Sequence, residues 1–308
     1  MKFLITGGAG FIGSHLAENL LKLGYSVSII DNFSTGKESN IEAFRKDVEV
    51  FDKDIRNFES VNKATAGVDV ILHHAAMASV PASVADPLTA NEINISGTLN
   101  ILEAAKQNGV KRVVFAASSA AYGDEPESPK HEQMKPQPLS PYAVGKLAGE
   151  YYCKLYFDLY GLETVGLRYF NVFGHRQDPN SQYAAVIPKF ITSMIEGKSP
   201  VIFGDGLQTR DFTHVENIVQ ANLLASTVAN IAGGLYNCAC GEAISLNDVV
   251  NVINTFLGTK IEPRYEDPRP GDIKFSLASI ALIKEKLNFN PKYNFQEGLA
   301  KTIPFYQK

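Results

Sequence analysis

The segment that most constrains this chain lies at its start. Thr6-Gly7-Gly8-Ala9-Gly10-Phe11-Ile12-Gly13 joins a short apolar run, Lys2–Thr6, to an amphipathic stretch over 12–23. The run reads as a strand, and the stretch as a helix stopped by Gly24. Gly7, Gly10 and Gly13 fall at a G-x-x-G-x-x-G spacing. Glycine at such a turn lets the backbone approach a pyrophosphate closely, and glycine inside the helix lets it lie against a sheet. The helix N-terminus then offers unpaired N–H groups and a partial positive charge to the anion. A second strand over 26–30 runs into Asp31. A carboxylate there accepts hydrogen bonds from both ribose hydroxyls of a dinucleotide and repels a 2′-phosphate, which favours NAD over NADP. Asp54-Ile55, after a third strand, is a candidate for holding the adenine.

The alternation continues beyond this unit. Strands are expected over 48–51, Val70–His73, 112–117 and Glu163–Tyr169, with helices over 90–108 and 141–159. Strand–helix alternation implies an α/β fold, a Rossmann-type doubly wound parallel sheet covered on both faces. Near residue 171 the pattern loosens, and helices over 187–196 and 246–256 sit among short strands. We therefore expect a dinucleotide-binding domain over 1–171. A smaller C-terminal α/β substrate lobe over 172–308 should pack over the carboxyl ends of the strands, with crossovers back to the sheet. The 308 residues suffice for a sizeable core. A net charge of -4 argues against charge-driven nucleic-acid binding. No apolar run reaches membrane-spanning length, and the first residues do not read as a signal peptide. Cys153, Cys238 and Cys240 make neither a disulfide framework nor a zinc pattern, which fits a reducing cytoplasm. The histidines are scattered without metal spacing, so no metal site is expected.

Tyr142 and Lys146 form Y-x-x-x-K at the start of the helix over 141–159. A spacing of four puts both on one helical face. An ammonium beside a phenol favours the phenolate and lowers the tyrosine pKa, and a bound nicotinamide cation adds to that. A tyrosine so tuned can act as general base toward a sugar hydroxyl. Ser118, at the end of the fifth strand, can hydrogen-bond the same oxygen. Alone, Y-x-x-x-K is an ordinary solvated helix face; its weight comes from the glycine cradle and the strand-end serine. Tyr122 is the nearest decoy and lacks a lysine four residues on.

Four segments together carry a family likeness: TGGAGFIG, Ser118-Ser119-Ala120-Ala121-Tyr122-Gly123, PYAVGK and LRYFNVFG. The chain resembles the extended short-chain dehydrogenase/reductase family over essentially its whole length, and within it the nucleotide-sugar 4-epimerases. The resemblance implies NAD contacts at Gly7, Gly10, Phe11, Ile12, Asp31, Asn32, Ser34, Gly36, Asp54, Ile55, His74, Ala75, Ala76, Asn94, Tyr142, Lys146 and Phe170. It implies Ser118, Tyr142 and Lys146 as catalytic residues, and Ser118, Ser119 and Asn171 beside the sugar diphosphate. Arg210 and Arg269 match pyrophosphate-clamping positions, and Asp272 completes the nucleotide site. Val186, Lys189, Val201 and Phe203 would line a uracil pocket. A homodimer is implied, through the helices over 90–108 and 141–159.

Within the family, dehydratases carry an Asp-Glu pair after the catalytic hydroxyl; here Ser119 and Ala120 stand there. Thr209-Arg210-Asp211-Phe212 replaces the TRSF of UDP-glucuronate decarboxylases. What remains is hydride removal and return. Tyr142 takes the 4′-hydroxyl proton while NAD takes the C4 hydride. The 4-ketose turns, and NADH returns the hydride to the other face. NAD then stays tightly bound and is regenerated at each turnover. Ser276 stands where some UDP-galactose epimerases have a tyrosine, leaving room for an N-acetyl group. The expected activity is therefore a UDP-hexose 4-epimerase of the glucose/galactose pair, the N-acetylglucosamine/N-acetylgalactosamine pair, or both. The alternatives are a UDP-glucuronate 4-epimerase, or another nucleotide-sugar reductase or dehydratase-type enzyme on the same scaffold. A catalytically silent NAD sensor would have lost the Ser/Tyr/Lys set, which this chain keeps.

Overall fold

The computed structural model describes residues 1–179, 185–268 and 274–307. The strands are β1 (Lys2–Thr6), β2 (Ser26–Asp31), β3 (Glu49–Asp52), β4 (Val70–His73), β5 (Arg112–Ser118) and β6 (Glu163–Tyr169). Beyond them come β7 (Asn171–Phe173), β8 (Val201–Phe203), β9 (Thr209–Arg210), β10 (Phe212–His214), β11 (Gly234–Cys238), β12 (Ile244–Ser245) and β13 (Arg264–Glu266). One seven-stranded sheet runs in the order β11-β6-β5-β4-β1-β2-β3, and its pairings are all parallel. The order reverses between β1 and β4. That switch point opens the crevice where ligands of such sheets bind.

Both faces of the sheet are buried, and the strand residues divide between them with period two. Phe3, Ile5, Val114 and Leu167 enter one apolar cluster, while Leu4, Ile71, Val113 and Phe115 enter the other. This is why the strands read as continuous apolar runs rather than alternating ones. A third cluster lies apart, built from Phe173, Ile191, Ile202, Phe212, Ile253, Phe295 and Leu299. It fills the part of the molecule that carries β7 to β10, β12 and β13, each paired in a two-stranded sheet. The edge strand β11 comes from beyond residue 171, so the main sheet draws on both halves of the chain.

The helix expected over 90–108 is not continuous. Pro87–Asn91 and Thr98–Gln107 are α-helical, and the wider π-turn Glu92–Gly97 separates them. Asn94 sits in that turn, 2% exposed, where its amide grips the Met77 backbone from both sides at 2.8 and 3.2 Å. Inserted turns of this kind re-aim side chains at functional sites. Among the described residues no helix is long and apolar enough to cross a membrane.

Candidate active site

The glycine loop closes as its spacing requires. Gly7 has φ +69°, a conformation that L side chains rarely adopt. A Cβ on Gly13 would lie 2.2 Å from the Gly7 carbonyl oxygen, so the helix Phe11–Lys22 can start tight against the turn only with glycine there. Gly10 is the N-cap; no side chain caps this helix, and no acid sits in its first turn. The N-terminus thus remains available to an anion. Ala75 packs against Gly7, where an added Cβ would meet the Ala75 nitrogen at 2.9 Å. Thr6 holds that approach. Its hydroxyl accepts the N–H groups of His74 and Ala75 at 3.1 and 3.0 Å and bonds His73 Nδ1 at 2.7 Å. His73 Nε2 continues to Thr98 Oγ1, which donates to the Asn94 carbonyl. The strand end, the cofactor-side loop and the π-turn are thereby one connected polar chain.

Asp31 is buried at the end of β2. Its two oxygens accept the backbone N–H groups of Ala9 and Phe33, both at 2.9 Å. Burial raises its pKa, and the two N–H bonds oppose the rise. A Cβ on Gly36 would meet both carboxylate oxygens at 2.9 Å, which keeps that approach open only to glycine. Asn32 donates to Asp54 at 2.9 Å, and its own oxygen accepts the Ser34 N–H. Asp54 is pinned by Arg56 and lowered to about 2, with that hydrogen bonding as the main cause. Ile55 is buried in the second core cluster, under Gly97. His74 Nε2 meets the Tyr169 hydroxyl at 2.9 Å, and Asn222 donates to that hydroxyl at 2.7 Å. Ala76 is partly exposed beside it, and Phe170 is buried against Tyr122, Met134, Ala239 and Ala278.

Ser118, Tyr142 and Lys146 converge. Tyr142 and Lys146 occupy the first turns of the helix Pro141–Tyr160, which is N-capped by Ser140 and opens with Pro141. Ser118 ends β5, its hydroxyl accepting the Ala120 N–H at 3.2 Å and lying on the side of the Tyr142 phenol, whose pKa it lowers. The Lys146 ammonium is buried and donates to the Ala116 carbonyl at 2.8 Å. One expectation is corrected. In the protein alone Tyr142 is raised above the ordinary tyrosine value, because burial outweighs the opposing Ser118 hydrogen bond. Lys146 itself is lowered to about 8 by burial.

The other predicted positions lie around the small sheets. Asn171 is exposed on β7, while its backbone N–H donates to Asp211. Val201 and Phe203 share the half-buried face of β8, either side of the buried Ile202. Val186 is half-buried and Lys189 exposed on the helix Val186–Ile195. Arg210 lies on β9, its guanidinium donating to the Thr209 carbonyl at 2.8 Å. Ser276 is beside it, its N–H donating to Thr209 at 3.2 Å. Ser119 follows Ser118 in a half-buried turn. Arg269 and Asp272 lie outside the described residues.

Two site-building residues escaped the sequence reading. Thr6 was legible only as the end of a strand. Asp211 was read only as part of a fingerprint. Fully buried, it accepts the backbone N–H groups of Cys240, Gly241 and Ala278 at 3.0, 2.9 and 3.3 Å. It thereby fastens β9, the end of β11 and the Ser276 segment together. Burial raises it to about 6. Nothing in the local sequence marks a carboxylate whose partners lie so far along the chain.

A model of the NAD dependent epimerase/dehydratase family matches residues 3–239. The chain belongs to this family. Its fold is that of solved relatives across the whole length. The UDP-N-acetylglucosamine 4-epimerase of Methanobrevibacter ruminantium M1, in complex with UDP-N-acetylmuramic acid, superposes with a TM-score of 0.95 at 43% identity, over 99% of this chain and 97% of that one. The UDP-glucose 4-epimerase of Thermus thermophilus, in complex with NAD, gives 0.90 at 37% identity, over 100% and 99%. The UDP-glucose 4-epimerase of Mycolicibacterium smegmatis is 35% identical over 315 residues, covering 100% of this chain and 99% of its own. In this member of the epimerase/dehydratase family, the acid-free helix N-terminus and the Asp31 carboxylate fit a pyrophosphate and a ribose diol.

Proposed function

We propose that the chain is an NAD-dependent UDP-hexose 4-epimerase, active on the UDP-glucose/UDP-galactose pair and on its N-acetylated counterpart. The observation that carries this is the catalytic turn itself. Ser118 ends the strand that Lys146 grips through the Ala116 carbonyl, Tyr142 stands one turn before Lys146 on its helix, and the turn after Ser118, Ser119–Tyr122, carries no carboxylate. Dehydration needs an acid and a base at the neighbouring carbons; this turn supplies neither.

NAD would be held by the loop from Gly7 to Gly13 at its pyrophosphate, by Asp31 at the adenosine ribose, and by Tyr142 and Lys146 at the nicotinamide end. When bound it accepts the C4 hydride and returns it. The chain does the rest. Tyr142 accepts the proton of the 4′-hydroxyl and returns it after the sugar has turned. Ser118 holds the same oxygen, in line with its influence on the phenol. Lys146, fixed by the Ala116 carbonyl, supplies the positive charge that favours the phenolate. Arg210, on β9, and Ser276, whose N–H bonds the Thr209 carbonyl of that strand, are assigned to the diphosphate and to the face where a C2 substituent lies.

We also propose a homodimer. Val144, Tyr151, Leu155 and Leu159 are exposed along one face of the helix Pro141–Tyr160, with Val84 and Leu88 exposed on helices that pack against it. A contiguous apolar face of this kind is covered in a stable protein, and a second copy is the simplest cover.

The test is incubation of purified protein with UDP-glucose and with UDP-N-acetylglucosamine, without added NAD, followed by proton NMR. The 4-epimers of both should appear. No product from either, with NAD supplied, would overturn the reading.

A further inference from the structure

Behind Lys146 lies a buried ion pair that the reaction, as derived above, does not use. Glu150 stands one helical turn beyond Lys146 on the same helix, 7% exposed. Arg168, on β6 and 2% exposed, grips it with both arms of the guanidinium: Nε to Oε1 at 2.8 Å and Nη2 to Oε2 at 2.7 Å. The guanidinium lies over the Tyr122 ring at 4.6 Å, and the Tyr122 hydroxyl donates to Asn237 at 2.7 Å. A fork-on-fork pair with an aromatic lid has one geometry and little freedom to leave it.

We propose that the Glu150–Arg168 pair is a positioning device for the catalytic lysine: a fixed counter-charge, one turn behind Lys146, that holds it as an ammonium. The proposal rests on the assignment of Lys146 to the catalytic set. Its surroundings single Glu150 out. From β4 and the residue just past it, His73 and His74 face the lysine, burial lowering His74 to about 3 and His73 well below the usual value. From β5 come the Ala116 carbonyl and the Phe115 ring, at 5.1 Å. From its own helix come Glu150 and Cys153, whose thiol burial pushes far above its ordinary value and so keeps uncharged. Burial works to strip the proton from Lys146, and Cys153 and Glu150 oppose it; with the Cys153 thiol held uncharged, Glu150, already ion-paired to Arg168, is the one of the two built as an anion.

Arg168 makes that anion dependable. Burial leaves the Glu150 carboxyl above its ordinary value, and the Arg168 fork is the main influence that opposes the rise. An unpaired buried carboxylate would take up a proton and leave the lysine without its counter-charge. Arg168 acts through Glu150 and touches no substrate atom.

The experiment uses the whole protein with its lysines labelled with 13C at Cε, the Lys146 signal being assigned by its loss in Lys146→Arg. The 13Cε shift is followed against pH in wild type, in Glu150→Gln and in the double variant Glu150→Gln/Arg168→Met, which removes the Arg168 cation together with the carboxylate it pairs with. The lysine midpoint should fall by about one pH unit in Glu150→Gln and by less in the double variant. The alkaline limb of kcat should move with it. If the pair is only a fastener, the double variant recovers its Tm and keeps the wild-type midpoint and limb, and the proposal is overturned. A midpoint unchanged in Glu150→Gln overturns it as well. The titration needs neither NAD nor turnover. A wild type that fails to epimerise would sink the functional assignment while leaving the counter-charge measurement standing.

Discussion

The two sides of the crevice are built differently. The cofactor side is made of consecutive segments: β1, the glycine loop, its helix and β2 follow one another, and their contacts are mostly backbone to backbone or backbone to Asp31. The opposite side is made of distant pieces. Asp211 alone joins residues 240, 241 and 278, and Ser276 reaches its place by pairing with Thr209. A site assembled from neighbouring residues is rigid because its turn is; one assembled from distant residues depends on the buried groups that staple it.

The joint between the two sides is a histidine pair. His15, on the glycine-loop helix, bonds the Phe11 carbonyl through Nδ1 and meets His175 Nε2 at 2.9 Å. Beside it Arg176 pairs with Glu18. The joint thus ties the glycine-loop helix to the chain just past β7.

Four changes sharpen this contrast, from the largest expected effect to the smallest. Tyr142→Phe removes the group on which both sides converge. It should lower kcat by roughly a thousand-fold while NAD remains bound, as read from the absorbance of denatured extracts. Gly13→Ala attacks the cofactor side, because its Cβ meets backbone that cannot move aside. It should cost about 3 kcal/mol and release NAD, seen together in Tm and in cofactor content. His15 is lowered to about 3 by burial, with His175 adding to the effect. The unfolded chain therefore takes up a proton below about pH 6.5 that the folded chain refuses, and stability falls as pH drops through that window. In urea titrations, wild type should lose about 2 kcal/mol more than His15→Gln between pH 7 and pH 5. Ser276→Tyr touches only the stapled side. It should reduce kcat/KM for the N-acetylated substrate about ten-fold relative to UDP-glucose and leave Tm and NAD content alone. An unchanged preference would remove the gate from Ser276, and a loss of NAD would erase the distinction between the two sides.

Legibility followed the same division. The glycine loop, β1, β4 and β6 were readable to the residue, because short apolar runs bounded by turns leave little choice. The helix Val215–Thr227 was not read. Asn217 and Asn222 lie on its buried side and break the apolar period. Their amides reach distant partners, Asn217 with Lys292 and Tyr293 and Asn222 with Tyr169. The helix Phe295–Tyr306 was missed too; it carries Pro304 inside its span. The catalytic spacing was legible as Y-x-x-x-K, but the sign of the tyrosine shift was not. Spacing shows an ammonium nearby and says nothing of how deeply the phenol is buried.

By itself, then, the sequence determined what neighbours along the chain can decide: a strand, a turn only glycine can make, a helix start without acid, a carboxylate at the next strand's end, and two side chains on one helical face. These follow from steric limits and helical periodicity, which act over a few residues. Only the tertiary structure decided which side chains far apart share one environment. It half-buried Tyr142 and buried Lys146, set Glu150 against Arg168, gathered three segments around Asp211, and drew Asn94 into a π-turn to hold Met77. Burial and charge depend on everything packed around a group, and no stretch of local sequence carries that information.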